Sequence, residues 1–541
     1  MEKRNGIKIH HFFLVSILLL SLAIQSYRLE WGLVSENMGL SEIGAFHIVE
    51  AIIVNIPLNM MMTGDLNPHH FLEPSLFYNS MFVVFTVMSK TTAIHSLTQY
   101  FYIARVMSLL FSTGVVLLVY LIGKEAGGTT VGLYSALLMA LNPYYLWFSS
   151  IAKEDPMMIF LVMLSMYLFA RHLSGKNSIF FLLSMAAAGF AASTKFPAGM
   201  MLPILLLLYF LHGRTIPLRE RLKNSGLSLG AYIIAFVAGT PYSVISFTEF
   251  SSGALGELRH YMTDHPGFLH FTWFVHVQTL TGLWDAANIW GKNGYGLSLI
   301  LVMAGFYFIA LRIRQDIDSR ERYLWYMLVG WIMLSVLVFF FLIKIKMGNQ
   351  MMIMTPAAMV VAGFGFKRLL EKLPSLPARV AAGGVILILI FTYAASGIVS
   401  SQNDNRYYAA EWLEANADRN ASIGMTFFVY VPPEFTEKSI LTPDLSILEN
   451  SSYEYILLSS WEYQRYLESP ETYPVESEFY SSVLQGKTHY KPVAQFVRTE
   501  NSRERTLNFG LRALAERDRY RGEVDIYIFR RSNEYIQAPN I

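Results

Sequence analysis

The residues of this sequence with the clearest chemical potential are charged side chains at the margins of apolar segments, where an unpaired charge is costly. Glu42 precedes the segment GDLNPHHFLEP, in which Asp65, His69 and His70 lie close together. Carboxylates and imidazoles in such a group can accept a proton, orient a polar substrate or bind a divalent metal ion. Alternatively, Gly, Asn and Pro are present in this segment only because they form a turn, and the segment then has no chemical role. Both interpretations stand. Glu50 lies on the apolar stretch between Glu42 and Asp65 and is expected to face water.

A second acidic pair, Glu154 and Asp155, comes directly before Pro156 in AKEDPMM. Acidic residues and Pro favour the first turn of a helix because of the helix dipole and the missing proline amide. The pair therefore serves either as a helix start or as an anchor for a cation or an acceptor substrate.

Basic residues form a third set. Lys344 and Lys346 follow an apolar run in FFFLIKIKMGNQ, and Arg105 lies near the start of another. Cations at a membrane surface can bind the phosphate of a lipid-linked substrate, or they can extend towards the phosphates of ordinary lipids. His265, in the aromatic-rich segment HYMTDHPGFLHFTWF, is a candidate for a sugar or head-group pocket, with a purely structural role as the alternative.

The composition indicates the kind of scaffold that must position these residues. The 541-residue chain is 53% hydrophobic and 15% charged, with a mean hydropathy of +0.37, so much of its apolar surface must face lipid. A net charge of +2 without a basic concentration argues against nucleic-acid binding. The absence of cysteine excludes thiolate metal sites, cysteine nucleophiles and disulfides.

Hydropathy and charge together predict a polytopic α-helical membrane protein with about eleven transmembrane helices. The predicted spans are 11–27, 101–122, 130–148, 156–171, 177–194, 197–212, 226–246, 295–312, 323–343, 350–366 and 377–398. The basic loops share the cytoplasmic side only if residues 76–92 do not cross, so this segment is expected to be an interfacial helix on the outer face.

This topology divides the chain into a membrane module, residues 1–400, and an extracytoplasmic domain, residues 401–541. The first outer loop, 28–100, carries the interfacial helices, and a second outer loop covers 247–294. The tail has an amphipathic helix at 404–418 followed by β-rich pieces, which predicts a small α/β or α+β domain. With this topology, we expect the protein to be located in a cytoplasmic or plasma membrane.

The order of these features resembles the polyprenyl-phosphate-dependent glycosyltransferases of the C superfamily, in the group of protein O-mannosyltransferases and aminoarabinose transferases acting on lipid A. The resemblance rests on the order of five features, which are an acidic first loop with GDLNPHHFLEPSLFY, the run from ARVMSLLFS to SSIAKEDP, HYMTDHPG, a Lys before a span with TP, and EWLEANAD. It covers nearly the whole chain.

The resemblance implies roles for individual residues. The Asp-Glu pair of the family corresponds here to Ser41-Glu42, so the Asp is absent and Glu42 is the expected base or acceptor-orienting residue. Asp155 matches a later acidic position of the family. Lys344 and Lys346 match the region that contacts the lipid-linked phosphate, although the usual Arg-Tyr is replaced.

The expected function is transfer of a sugar from a polyprenyl-phosphate carrier to a protein, lipid or glycan acceptor on the outer face. No cofactor is demanded, and a divalent metal ion at the acidic loop is a possible addition. Two alternatives remain, a non-catalytic membrane scaffold or sensor with the same fold, and a transporter of lipid-linked sugars.

Overall fold

The computed structural model describes residues 2–33, 47–91, 94, 96–175, 177–262, 297–315, 317–345, 348–402, 404–497 and 524–532. Its first part is a helical bundle. The helices are α1 (Glu2–Ser26), α2 (Ile48–Thr63), α3 (Leu76–Thr91), α4 (Leu97–Gly127), α5 (Thr129–Ala140), α6 (Pro143–Ser149), α7 (Asp155–Gly175), α8 (Ser178–Ala192), α9 (Met201–His212), α10 (Leu218–Gly239), α11 (Tyr242–Ile245), α12 (Phe247–Met262), α13 (Leu297–Ile313), α14 (Ser319–Val336), α15 (Thr355–Glu371) and α16 (Leu376–Gln402).

Local sequence explains where several helices begin and end. The side chain of Gln99 accepts a hydrogen bond from the Ser96 amide, which forms part of a capping box at the start of α4. Helix α8 begins after Asn177, whose side chain accepts from the Ile179 amide. Gly64 ends α2 with a φ of +74°, a conformation that glycine adopts without strain.

Five described helical stretches are long and apolar enough to cross a membrane, namely Ile9–Ser26, Leu97–Gly127, Asp155–Gly175, Ser319–Leu342 and Gln350–Glu371. Five other predicted spans fall on shorter apolar helices, and the predicted span 226–246 falls mainly within α10, whose first turns are charged. The polytopic helical class is confirmed and the chain is an integral membrane protein. The number of eleven crossings stays a prediction.

The bundle has two chemically different ends. At the basic end, Glu125 pairs with Arg171 and Arg320, and Lys367 reaches the Gly127 carbonyl at 3.4 Å. The opposite end, called the site end below, is formed by the C-terminus of α1, the N-termini of α4 and α7, and the connection between α8 and α9. The predicted basic loops thus meet at one end, as the charge pattern indicates.

Helix α3 contacts the site end through its first residue and through its middle. The Leu76 amide donates to the Ser193 carbonyl at the end of α8, and Phe85 packs edge-to-face on Tyr100 in the first turn of α4. That residues 76–92 form an interfacial helix on the outer face stays a prediction.

The tail contains a mixed five-stranded sheet in the order β2-β1-β3-β5-β4. Its elements are α17 (Asn405–Asn416), β1 (Ile423–Met425), β2 (Lys438–Ile440), α18 (Leu445–Asn450), β3 (Tyr455–Ser459), α19 (Ser460–Leu467), α20 (Pro474–Leu484), β4 (Tyr490–Phe496) and β5 (Ile526–Arg531). Strand β1 is parallel to β2 and β3, whereas β5 is antiparallel to β3 and β4. Helices α17 and α20 contribute to separate apolar clusters with alternating residues of β3, so both faces of the sheet are covered.

The tail contacts the site end of the bundle. The Tyr407 hydroxyl accepts a hydrogen bond from the Gly32 amide at 2.7 Å, and the Arg406 guanidinium lies over the Trp31 ring. The tail and the beginning of the first loop therefore occupy the same end of the protein.

Candidate functional site

The site end contains a fully buried ion pair between Glu50 of α2 and Arg105 of α4. Arg105 Nε and Nη2 donate to the two carboxylate oxygens of Glu50 at 2.8 and 2.7 Å, and neither side chain is exposed. Arg105 Nη1 donates to the carbonyls of Leu29 and Trp31, while Glu50 also accepts from the Ala152 amide. The pair connects the first loop to the segment that holds the acidic pair.

Two sequence predictions are corrected by this geometry. Glu50 is expected from sequence to face water, but it lies on the buried side of α2, where Arg105 compensates its charge. Arg105 is predicted to bind the donor phosphate, but its guanidinium is directed at Glu50 and two backbone carbonyls. A guanidinium so committed positions the first loop instead of meeting a substrate.

The second cluster surrounds Lys195, in the connection between α8 and α9. Its ammonium contacts Glu154 Oε1, Asp155 Oδ1 at 3.3 Å and Glu73 Oε1 at 3.3 Å. Lys153 pairs with Asp155 Oδ2, also at 3.3 Å. All five side chains are buried or nearly so, with exposures of 4 to 13%. Two cations and three carboxylates are thus concentrated where water is largely excluded.

Sequence reasoning found Glu154 and Asp155 but not their partners Lys195, Lys153 and Glu73 as members of one site. The signal for Lys195 was its place in the short segment STKFP between two apolar helices at the outer end. A lysine in so short a connection has little room to reach water, which favours pairing with a carboxylate.

Proton affinities in this cluster are strongly perturbed. Burial raises the pKa of the Glu73 carboxyl to about 8, although the Lys195 ammonium acts in the opposite direction. Burial alone would lower the pKa of Lys195, but the carboxylates of Asp155, Glu154 and Glu73 raise it well above its usual range. Glu73 can therefore hold a proton near neutral pH while Lys195 stays charged.

The cluster borders a narrow recess lined by polar and apolar side chains. Asp155 and Lys195 line it together with Tyr261 of α12 and Gln350, and Phe339 and Ile353 add apolar walls. Burial, the first cause, raises the pKa of the Tyr261 hydroxyl, which therefore stays a hydrogen-bond donor at neutral pH. Such a recess can present ammonium and hydroxyl donors to a charged oxygen.

Lys344 lies beside this recess. Its amide donates to the Tyr261 carbonyl at 3.1 Å, and its side chain is exposed. The backbone of this predicted donor-phosphate lysine is therefore close in space to the recess-lining Tyr261. The second predicted lysine, Lys346, lies outside the described residues, as do the predicted base Glu42 and the predicted pocket residue His265.

The remaining predicted pocket residues form a separate group on the surface of the site end. His69 Nε2 contacts Asp65 Oδ2 at 3.0 Å and His69 Nδ1 contacts Glu249 Oε1 of α12 at 2.8 Å. These two hydrogen bonds, to Asp65 first and to Glu249 second, raise the pKa of His69. The group joins the first loop to α12 across an open groove that His70 also lines.

His70 differs from its neighbour. Its ring packs edge-to-face on Tyr78, and burial lowers its pKa, so the neutral imidazole is favoured. The structure thus separates the predicted pocket into the Glu154 cluster and the Asp65–His69 group. Within the described part of the chain, no three His, Asp or Glu side chains are arranged as metal ligands.

Comparisons with known proteins agree with this architecture. A family model described as dolichyl-phosphate-mannose-protein mannosyltransferase matches residues 82–245. A protein of Aquifex aeolicus (strain VF5), described as uncharacterised, is 26% identical over 341 residues, which is 62% of this chain and 70% of that protein.

Two solved structures share the fold. The oligosaccharyltransferase of Archaeoglobus fulgidus in its apo form superimposes with a TM-score of 0.55 at 11% identity, over 96% of this chain and 88% of that one. ArnT from Cupriavidus metallidurans bound to undecaprenyl phosphate gives a TM-score of 0.50 at 12% identity, over 97% and 98% of the two chains. The family model matches part of the chain, and at these identities the likeness to the two solved structures concerns the fold alone.

Proposed function

We propose that this protein is a membrane glycosyltransferase that moves a sugar from a polyprenyl-phosphate carrier to a protein, lipid or glycan acceptor at the site end. The matched family is a mannosyltransferase family using dolichyl phosphate, and the region matched includes Lys153, Asp155 and Lys195. A solved relative of similar fold is bound to undecaprenyl phosphate. The site end is proposed to face the extracytoplasmic side because the basic loops lie at the other end.

The observation that carries this proposal is the buried cluster around Lys195. Displacement of a polyprenyl phosphate from an anomeric carbon leaves a phosphate whose negative charge must be stabilised. Lys195 borders the narrow recess, and the Lys344 amide donates to the carbonyl of the recess-lining Tyr261. Lys153 holds Asp155 from the opposite side of its carboxylate. The cluster thus holds two lysine cations among three carboxylates in a site with little water.

The acceptor hydroxyl must lose a proton in the same step. Glu42 and Asp155 are the proposed catalytic carboxylates. Both oxygens of Asp155 contact lysines, which favours a role in orienting Lys195 and the acceptor over removal of the proton. Glu42 is left as the proposed base. General-base catalysis typically contributes 10²–10⁴-fold to the rate.

A transfer assay tests this function. Purified full-length protein in lipid nanodiscs is mixed with a small panel of polyprenyl-phosphate sugars, and labelled acceptor is measured. Lys195→Met should lower turnover by about 10²-fold or more, because it removes a preorganised cation from the departing phosphate. Lys90→Met removes an exposed lysine at the same end and should leave turnover unchanged.

The two carboxylates are separated by matched amide variants. Glu42→Gln should lower turnover by about 10²-fold or more while donor binding stays nearly intact. Asp155→Asn should weaken donor binding as well, since it removes the carboxylate that both lysines contact. Full activity of Glu42→Gln with no activity of Asp155→Asn would move the base to Asp155.

A non-catalytic scaffold is the second candidate, favoured by two observations. Ser41 replaces the Asp of the family-like pair, and the Asp155 carboxylate is occupied by lysines. If wild-type protein binds polyprenyl-phosphate sugars but transfers none of them to any acceptor tested, this alternative is supported and the transferase proposal fails.

A further inference from the structure

The basic end of the bundle, remote from the proposed transfer site, contains a cavity of about 350 Å³. It lies between the α4–α5 break, the end of α13, the start of α14 and the end of α15. Its lining includes the cations Arg312, Arg320, Lys367 and Arg368, the carboxylates Glu125, Asp318 and Glu321, and the backbone of Gly127 and Gly128. A cavity with this lining is suited to a polar, charged ligand.

The cavity lining carries four cations against three carboxylates, and one of these carboxylates, Glu321, pairs with Arg312 alone among the described residues. Glu125 is shared by Arg320 and by Arg171 just outside the cavity. Glu371 is likewise shared, by Lys367 at 3.7 Å and Arg368 at 3.1 Å. Each of these two carboxylates therefore faces two cations. An anion entering the cavity can meet cations that are held in place but only partly neutralised.

The backbone adds to the same preference. Helix α5 begins at Thr129 directly after Gly128, which has a φ of +88°. The first-turn amides of a helix lack intrahelical acceptors, and the helix dipole places partial positive charge there. Because Gly127 and Gly128 line the cavity, this helix start lies at its wall. Helix start and basic side chains are two independent features that favour a phosphate group.

The cavity also borders the lipid-facing surface. Leu311, next to Arg312, is 39% exposed, and Leu369, next to Arg368, is 37% exposed. Apolar side chains exposed on the outside of a membrane bundle are solvated by acyl chains. A ligand with a phosphate in the cavity can therefore extend its apolar part along these leucines.

We propose that this cavity binds the headgroup of an anionic phospholipid from the leaflet at the basic end. Basic pockets between transmembrane helices on the cytoplasmic side are typical sites for such headgroups. The phosphate would contact Lys367, Arg368 and the start of α5. The acyl chains would follow the exposed leucines.

Native mass spectrometry of the full-length protein in detergent tests this proposal. Phosphatidylglycerol is titrated against wild type and against the double variant Lys367→Gln, Arg368→Gln, with phosphatidylcholine as the uncharged comparison. Both side chains are 30 to 38% exposed, so neutral replacement should preserve folding. Lys372→Gln removes an exposed lysine at the same end, outside the cavity lining, and serves as the matched control.

The proposal predicts that wild type retains phosphatidylglycerol in preference to phosphatidylcholine. The double variant should weaken this binding by at least about tenfold, the loss expected for one charge-assisted contact. Lys372→Gln should bind like wild type. Equal weakening by the control and the double variant would show non-specific surface attraction and overturn the proposal. Equally tight binding of inorganic phosphate alone, lost in the same double variant, would also overturn the assignment to a lipid.

Discussion

Replacing Glu50 with glutamine should destabilise the bundle by about 3–5 kcal/mol, the usual cost of removing one partner from a buried ion pair. The structure shows why the cost should lie in that range. Arg105 donates to Glu50 through two nitrogens at 2.8 and 2.7 Å, and neither side chain is exposed to water. A glutamine side chain at this position would offer one acceptor oxygen and turn its amide donor towards the guanidinium. The positive charge would then be buried without compensation.

Removing both charges should recover part of the loss. In the double variant Glu50→Leu, Arg105→Met, two apolar side chains of similar volume replace the pair, a change that is often neutral in other proteins. Here the carbonyls of Leu29 and Trp31 and the Ala152 amide would still lose partners, at about 1–3 kcal/mol each if left unsatisfied. The double variant should therefore be more stable than the sum of the single variants predicts, but less stable than wild type.

Unfolding of the detergent-solubilised protein by denaturant, followed by tryptophan fluorescence, measures these differences. Trp31 is buried beside the pair and reports on this region. Arg530→Ala breaks an exposed Arg–Glu pair in the tail and should cost no more than about 1 kcal/mol. Unfolding of Glu50→Gln at the same denaturant concentration as wild type would refute the reasoning, because it would mean that Arg105 is compensated without Glu50.

Three further predictions concern the donor, the surface group and the topology. Lys346→Ala, and less severely Lys344→Ala, should lower apparent donor affinity by about tenfold, since a charge-assisted hydrogen bond contributes roughly 1.5–3 kcal/mol; unchanged donor dependence in both would assign these lysines to lipid contacts. The pKa of His69 is raised by its two carboxylate partners, Asp65 and Glu249. The contact of His69 with Glu249 of α12 should therefore be complete between about pH 4.5 and 6.5 and be lost as pH rises through the raised pKa. Hydrogen exchange of α12 should show this pH dependence in wild type and not in His69→Gln. Single cysteines in this cysteine-free chain, at Ser401 and Asn224, should label from the outer and inner sides respectively, and the reverse result would overturn the topology.

Much of the fold was predictable because hydropathy is a local property of the chain. The five described helical stretches that are long and apolar enough to cross a membrane fall on predicted spans, and the amphipathic segment 404–418 contains α17. The interfacial assignment of residues 76–92 follows from the distribution of basic loops and stays a prediction. Helix ends at Ser96 and Gly64 follow from capping and backbone preferences that neighbouring residues set.

The site was only partly predictable. Asp155 and Glu154 stand out in the sequence because two carboxylates precede a proline at the edge of an apolar run. The cation between them is 41 residues away in the chain from Glu154, and nothing near Lys195 in the sequence indicates the partner. Glu50 illustrates the opposite error, since an acidic residue on an otherwise apolar helix is compatible with either water or a buried cation.

The amino-acid sequence by itself determined that this chain is solvated by lipid and that its basic loops gather at one end. It also indicated, from an amphipathic helix followed by β-rich segments, that the tail is a separate α/β unit. Tertiary structure alone decided which charges are paired, placing Arg105 on Glu50 across 55 residues and Lys195 among three carboxylates. The physical reason is that a charge in a low-dielectric interior is stable only beside its counter-charge. The identity of that partner depends on how helices pack, and helix packing brings together residues that are distant in sequence.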